Sequence, residues 1–231
     1  MPSSSYEIRV CENPNCGLRY PLVEGHPFGT RCPRCLGATH AVRKKSLWEE
    51  HVVPEREKQP LANFQLHALL DNVRSAWNVG AIFRTADGLG VEKLYLCGIT
   101  PTPESEAVQK TSLGAEQSVG WEYARDAVQL AERLKAEGKV LLGLEQDERA
   151  VRLEIANPAA KAELTQVLGT GTSRDIVLVV GNEVTGVDPD LLALCEQVVY
   201  IPMRGKKRSL NVEVAFAIAA WTLYQCYSEC R

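Results

Sequence analysis

The stretch "IVLVVGNE" (residues 176–183) decides the fold. Its first five residues are apolar without a break. A strand with one wet face alternates polar and apolar positions, whereas a strand covered on both faces runs apolar throughout, as in the parallel sheet of an α/β protein. The run turns polar only at Gly181, Asn182 and Glu183. In parallel sheets that end of a strand is where ligands bind.

The flanking sequence supports the same architecture. Upstream, "FQLHALLD" (64–71) reads as a strand and "NVGAIFRTADGLG" (78–90) as a helix stopped by glycine. Strands follow at "VEKLYLCG" (91–98), "WEYA" (121–124) and "KVLLGLEQ" (139–146), with an amphipathic helix at "DAVQLAERLKAEG" (126–138). Downstream, "DPDLLALC" (188–195) reads as a short helix that Asp188 can cap, and "QVVYIPM" (197–203) as a strand. This alternation predicts a three-layer α/β domain with a parallel sheet. The segment 157–175, long and Gly-rich at its end, reads as a mobile insertion. "VQKTSLGAEQ" (108–117) reads as a surface helix and turn, although Lys110 and Thr111 could also reach a ligand.

Polar clusters close four of the strands: "DNVRSAWN", "EQD", "GNEVTG" and "RGKKRSLN". If they meet at one sheet edge they form one site. No GxGxxG follows the first strand and no phosphate-binding P-loop is present, so a dinucleotide or nucleoside-triphosphate site is disfavoured. The last cluster leads into "RSLNVEVAFAIAAW" (208–221), a nearly all-apolar helix with Ser209 and Asn211 at its mouth. Such side chains satisfy the open backbone groups of a helix start. The helix face Val212, Val214, Ala215, Ile218, Ala219 and Leu223 is broader than one core should absorb, which predicts a homodimer built on it.

Composition sets the remaining bounds. With 231 residues and 45% hydrophobic content, the chain can build one full domain and a small appendage. No apolar run reaches the roughly 18 residues of a membrane span, and "MPSSSYEIRV" is no signal peptide, so a soluble cytoplasmic protein without membrane association is expected. Residues 1–45 carry seven Lys/Arg against three acids, a balance of +4; the rest carries 19 against 26, a balance of −7. A basic appendage on an acidic body suggests an anionic partner for the appendage.

The cysteines divide the same way. Cys97, Cys195, Cys226 and Cys230 sit among apolar neighbours and read as buried thiols. Cys11 and Cys16, with Cys32 and Cys35 of "CPRC", form two knuckles. Four thiolates suit a closed tetrahedral Zn2+ site with a structural role. Two disulfides, four free thiols or iron on the same ligands are the alternatives. The expected organisation is a zinc-ribbon-like domain at 1–45, a charged linker at 46–60 and the α/β domain at 61–231.

Three motifs carry a resemblance: "NVRSAWNVGAIFRTADGLG" (72–90), "VVGNEVTGV" (179–187) and "IPMRGKKRSLNVEVAFAIAA" (201–220). In this order they resemble the SpoU/TrmH group of SPOUT-class RNA methyltransferases. The resemblance frames residues of about 60–231 and leaves the cysteine-rich segment outside. It implies a C-terminal trefoil knot, S-adenosyl-L-methionine bound in that knot, a dimer, and RNA ribose 2'-hydroxyls of tRNA or rRNA as the methyl acceptors. Carried over by position, Gly181, Ile201 and Leu210 lie against the cofactor, while Asn78, Arg84, Glu183, Ser209 and Asn211 make the catalytic set. Gly181 would let the cofactor approach closely. Arg84 would grip the phosphate beside the reacting ribose, "RGKKR" would hold RNA backbone, and residues 1–45 would add RNA affinity.

The plain structural alternatives are a surface salt bridge for Arg84, an N-cap for Ser209, a turn acid for Glu183 and a first-turn polar residue for Asn211. A non-catalytic RNA-binding protein on the same fold, or another α/β transferase that binds nucleotides, are the competing functions.

Overall fold

A computed structural model describes residues 5–27, 29–46, 64–168 and 174–229. The chain divides into two compact units, Met1–Glu57 and Lys58–Arg231. All but Ser46 of the expected 46–60 linker lies outside the described residues.

In the second unit a seven-stranded sheet is built from β4 (Phe64–Asp71), β5 (Lys93–Cys97), β6 (Gly120–Ala124), β7 (Val140–Leu144), β8 (Val151–Arg152), β9 (Arg174–Val180) and β10 (Gln197–Tyr200). Their order is β6-β5-β4-β9-β7-β10-β8, and every paired neighbour is parallel. The α-helices among the described residues are α1 (Ala76–Leu89), α2 (Glu106–Ser112), α3 (Ala127–Ala136), α4 (Pro158–Leu168), α5 (Pro189–Leu194) and α6 (Val212–Glu229).

β9 contains the unbroken apolar run 176–180, and both of its faces are covered. Ile176, Leu178 and Val180 join one apolar cluster with Ile82 and Phe83 of α1 and Phe216 and Leu223 of α6. Val177 and Val179 join the other, with Leu130 and Leu134 of α3 and Leu191 of α5. Each fully buried side chain of this size contributes on the order of 1.5–3 kcal/mol, so the central strand is anchored from two sides.

Boundaries follow local chemistry. Ser75 Oγ accepts from Asn78 N at 3.3 Å and starts α1 two residues ahead of the expected position; Gly90, at φ 70°, ends it. β10 stops at Tyr200 ahead of Pro202, which has no N–H for a ladder. α1 and α2 cross closely: a Cβ on Gly80 would overlap Thr111 Oγ1 and the Val108 carbonyl oxygen. Thr111 is therefore committed to this crossing, and Lys110 pairs with Glu106 at 3.5 Å, as a surface helix requires.

The segment read as a mobile insertion is largely a helix. Asn157 Oδ1 accepts from Ala159 N and Ala160 N and starts α4, whose Leu164 is fully buried in the first cluster. The glycines near 170 fall in 169–173, outside the described residues. The dimer face named on α6 is also corrected. Ala219 and Leu223 are buried in the unit's own core, while the exposed apolar residues of α6 are Val214, Ile218 and Trp221. An 18-residue helix that is apolar nearly all round sends one stripe inward and leaves another outside.

Burial pushes the thiols of Cys97 and Cys195 up to about 12, so both are inert core residues, and Cys226 is buried too. Cys230 lies outside the described residues.

The first unit is a three-stranded antiparallel sheet of order β2-β1-β3: β1 (Ser5–Cys11), β2 (Arg19–Val23) and β3 (Thr39–Ser46). Its two cysteine-bearing turns follow β1 and precede β3.

Candidate functional site

The loops beyond the carboxyl ends of β7, β9 and β10 converge on one cavity of about 240 Å³, and the loop after β4 joins them through Glu183. Gly181, Ile201 and Leu210 line it with Leu144, Tyr200 and Met203, so the three positions assigned to the cofactor share one wall system. Glu183 and Ser209 line it as well.

The loop after β9 is shaped by its own hydrogen bonds. Asn182 and Gly186 exchange backbone bonds of 3.0 Å in both directions, and Asn182 Oδ1 accepts from Val184 N and Thr185 N. A Cβ on Gly181 would overlap the backbone of Gly186 and Val187. The closing of its own loop therefore requires a glycine at 181. Glu145 fastens the loop to β7, with Oε2 accepting from Val187 N at 3.2 Å. Gln146 Nε2 donates to the Arg208 carbonyl at 2.9 Å and so ties the third motif to the same edge.

The carboxylate of Glu183 accepts from Arg74 N at 3.0 Å, Ser75 N at 3.1 Å and Asn78 Nδ2 at 3.0 Å. Asn78 Oδ1 in turn accepts from Asn211 Nδ2 at 3.1 Å. Asn211 Oδ1 accepts from Glu213 N at 2.9 Å and caps α6. Residues 78, 183 and 211, far apart in sequence, thus form one relay across the three motifs. Partial burial works to raise the Glu183 carboxyl, yet the donors of Arg74, Ser75 and Asn78 outweigh it and hold it below the usual carboxylate range. The relay is therefore anchored by a carboxylate.

The remaining two residues of the set stand apart from it. Ser209 is exposed at the cavity and does not cap α6; Asn211 takes that role because its Oδ1 reaches the Glu213 amide. Arg84 sits on the exposed side of α1, more than one turn beyond Asn78. Among the described residues it makes no ion pair or side-chain hydrogen bond, so the salt-bridge alternative does not hold there. In "RGKKR", Arg204 lies 3.6 Å from Glu154 and Arg208 lines the cavity.

Further residues support the site. Asp71, buried at the end of β4, accepts from Asp188 N at 2.8 Å and from Asn72 Nδ2. Asn182 Nδ2 donates to the Asn72 carbonyl at 2.7 Å. The polar clusters containing these residues were legible; their pairing required the fold.

In the first unit, the Sγ atoms of Cys11, Cys16, Cys32 and Cys35 all lie within 4.8 Å of one another. The Cys11–Cys35 and Cys16–Cys32 separations are 3.4 and 3.8 Å. Four sulfurs about 2.3 Å from a tetrahedral ion would stand about 3.8 Å apart, so the donor set fits Zn2+. Burial pushes the Cys11 thiol up to about 12, whereas at Cys32 the backbone amides of Cys35 and Arg34 oppose burial and bring the thiol down to about 7. Amides aimed at a sulfur favour the thiolate a metal needs.

Comparison with known proteins bears on the second unit. The family model described as the SpoU rRNA Methylase family matches residues 65–221. The 23S rRNA (guanosine(2553)-2'-O)-methyltransferase RlmP of Bacillus subtilis is 30% identical over 72% of this chain and 60% of its own length. The tRNA (guanosine(18)-2'-O)-methyltransferase of Escherichia coli K12 is 28% identical over 66% of this chain and 60% of its own. The TrmH/SpoU tRNA modifying enzyme of A. aeolicus superposes with a TM-score of 0.59 at 27% identity, over 71% of this chain and 76% of that one. The chain spans about 60% of the length of the first two relatives. With the family model matched from β4 into α6, and with its sheet shared by SPOUT methyltransferases, this chain belongs to the SpoU rRNA Methylase family.

Proposed function

We propose that this chain is an S-adenosylmethionine-dependent RNA methyltransferase that modifies a ribose 2'-hydroxyl of tRNA or rRNA. The observation that carries this reading is the Glu183–Asn78–Asn211 relay at the mouth of a cavity lined by Gly181, Ile201 and Leu210. Two of the relatives above are named as 2'-O-methyltransferases, one of rRNA and one of tRNA. The cavity has apolar walls in Leu144, Ile201 and Leu210 and polar groups at Glu145, Gln146 and Asn182, a mixture suited to a nucleoside with a charged tail.

The cofactor supplies a methyl already activated on a sulfonium. The chain's own residues have to orient the acceptor and handle the charge that develops on its oxygen. Glu183 holds Asn78, and Asn78 with Asn211 fixes the start of α6 against the start of α1. Ser209 offers an exposed hydroxyl at the cavity for the incoming ribose. Arg84, without a protein partner among the described residues, is available for the phosphate beside that ribose. A guanidinium keeps its proton in ordinary sites, so its role is charge stabilisation and grip.

The rest of the reading follows from the family and from surface chemistry. The carboxyl-edge loops belong to a trefoil knot. A homodimer forms over the exposed α6 stripe of Val214, Ile218 and Trp221. Zn2+ on Cys11, Cys16, Cys32 and Cys35 orders a ribbon domain over 1–45, joined through 46–60 to the methyltransferase domain at 61–231, and the ribbon adds RNA affinity. The enzyme works in the cytoplasm on RNA; among the described residues no helix is long and apolar enough to cross a membrane.

The test is a map of 2'-O-methyl sites in total RNA from cells with and without the gene. A site that disappears and is restored by purified protein with cofactor establishes the activity. Cofactor binding by calorimetry with no lost site would favour the non-catalytic alternative.

A further inference from the structure

The two faces of the first unit's sheet differ in charge bookkeeping. In antiparallel pairs, residues directly opposite share a face, and side chains alternate along each strand. On one face, β1 presents Ser5, Glu7 and Arg9, and the acids there are engaged. Glu7 pairs with Arg9, while Glu24 takes both Ser5 Oγ and, at 3.4 Å, Lys44. Arg9 is buried and also donates to Thr39.

The other face is different. Its centre is Tyr6, Ile8 and Val10, with Lys45 opposite Tyr6, Arg43 opposite Ile8 and Arg19 opposite Val10. Arg19, Arg43 and Lys45 are exposed, and among the described residues none makes an ion pair or a side-chain hydrogen bond. Glu12, just beyond the end of β1, lies 3.6 Å from His40, which stands opposite Val10 on this face. The +4 balance of residues 1–45 is thus not spread evenly. Of the seven cations, two serve the sheet's own carboxylates, three stand unpartnered together on the opposite face, and Arg31 and Arg34 lie between β2 and β3.

We infer that this face of β1, β2 and β3 is a docking surface for RNA backbone, with Arg19, Arg43 and Lys45 each meeting a phosphate. The inference rests on the RNA reading above and names the surface through which the ribbon would act. Spacing favours an extended polyanion over a compact one. Arg43 and Lys45 are two residues apart, about 7 Å along β3; Arg19 lies two strand spacings across, about 10 Å, and is offset along the strands by a further two to four residues. Three cations so far apart do not converge on a single small anion. Phosphates strung along a strand can reach all of them.

The experiment uses the full chain, a mixed-sequence 30-nucleotide single-stranded RNA, and binding measured from 50 to 300 mM salt. For single strands each lost phosphate contact lowers the slope of log K against log salt by about 0.7. The R19Q/R43Q/K45Q variant should therefore lose about 2 from the slope and, near 100 mM salt, roughly 10- to 100-fold in affinity. K44Q, on the opposite face, should keep the wild-type slope. Retained metal and unchanged calorimetric binding of S-adenosylmethionine show that the triple variant is intact. If it is not, R43Q and K45Q singly should each lower the slope by about 0.7.

A wild-type slope in an intact triple variant, or in both single variants, overturns the inference. So does RNA binding by K44Q that falls as far as in the triple variant. Equal loss of binding to phosphatidylserine vesicles with none to RNA assigns the face to a membrane instead. Failure of the wild-type chain to bind S-adenosylmethionine, with the RNA slope effect intact, would sink the methyltransferase reading and leave this surface standing.

Discussion

The two units order their sheets by different means. In the second, seven strands lie between two apolar clusters, and both faces of β9 are packed under helices. In the first, the buried residues among those described are two cysteines, a serine and an arginine. Three strands with so little apolar burial cannot offset their chain entropy by hydrophobic packing. What the small unit has instead is four thiols drawn to one point. The same contrast extends to function. The large unit carries a preorganised relay and a cavity, while the small one carries a charged surface.

The sharpest way to break that comparison is to remove the metal. Structural zinc contributes on the order of 10 kcal/mol or more to domains of this size. Cys32→Ser, or a strong chelator, should unfold the ribbon and drop bound zinc from one equivalent to near zero. The thermal transition of the α/β unit should stay in place. Two-dimensional NMR with metal analysis reads both; a folded ribbon with full zinc in the variant would remove Cys32 from the ligand set.

Next in size is Arg84→Ala. Loss of a charge-stabilising donor typically lowers the rate by about 10²–10³. S-adenosylmethionine affinity should hardly change, because Arg84 does not line the cavity. Arg84→Lys should recover little, since it lacks the planar fork. Single-turnover methylation and calorimetry separate a catalytic loss from a structural one.

A third test belongs to the large unit alone. His67 is buried beside Lys139 and Asp175, and its Nδ1 has no partner. Burial, helped by Lys139, lowers it to about 4. The unfolded chain therefore takes up this proton first as pH falls. The stability involved is complete above about pH 6.5 and is lost between there and pH 4, by up to about 3 kcal/mol. Urea midpoints at pH 7 and 4.5 should show the loss, and His67→Gln should flatten it.

The smallest effect is expected at Lys110. Its i,i+4 pair with Glu106 is well exposed, so Lys110→Ala should change stability by less than about 0.5 kcal/mol and leave the RNA salt slope unaltered. A larger drop in that slope would move the RNA surface onto α2.

Much of this organisation was legible in the residues. An unbroken apolar run declares a strand with two covered faces, because period and burial are local consequences of composition. The spacing of Cys11, Cys16, Cys32 and Cys35 announced a four-sulfur site for the same reason: ligand knuckles are short-range geometry. The catalytic candidates at 78, 84, 183, 209 and 211 and the cavity positions 181, 201 and 210 were readable as motifs.

Other features belonged to the tertiary structure. Whether Gly181 answers to a ligand or to its own loop depends on where Gly186 and Val187 return, five and six residues later. Whether Ser209 or Asn211 caps α6 depends on which side chain reaches Glu213 N. The helix in 158–168 is held by the burial of Leu164 in a core assembled from distant strands, which no local pattern displays. Likewise, the separation of paired from unpaired cations in the ribbon is set by strand register, a non-local property. Sequence by itself determined the elements and their chemistry, because those depend on near neighbours. Tertiary structure decided which groups meet, because hydrogen bonds and packing join residues more than a hundred positions apart.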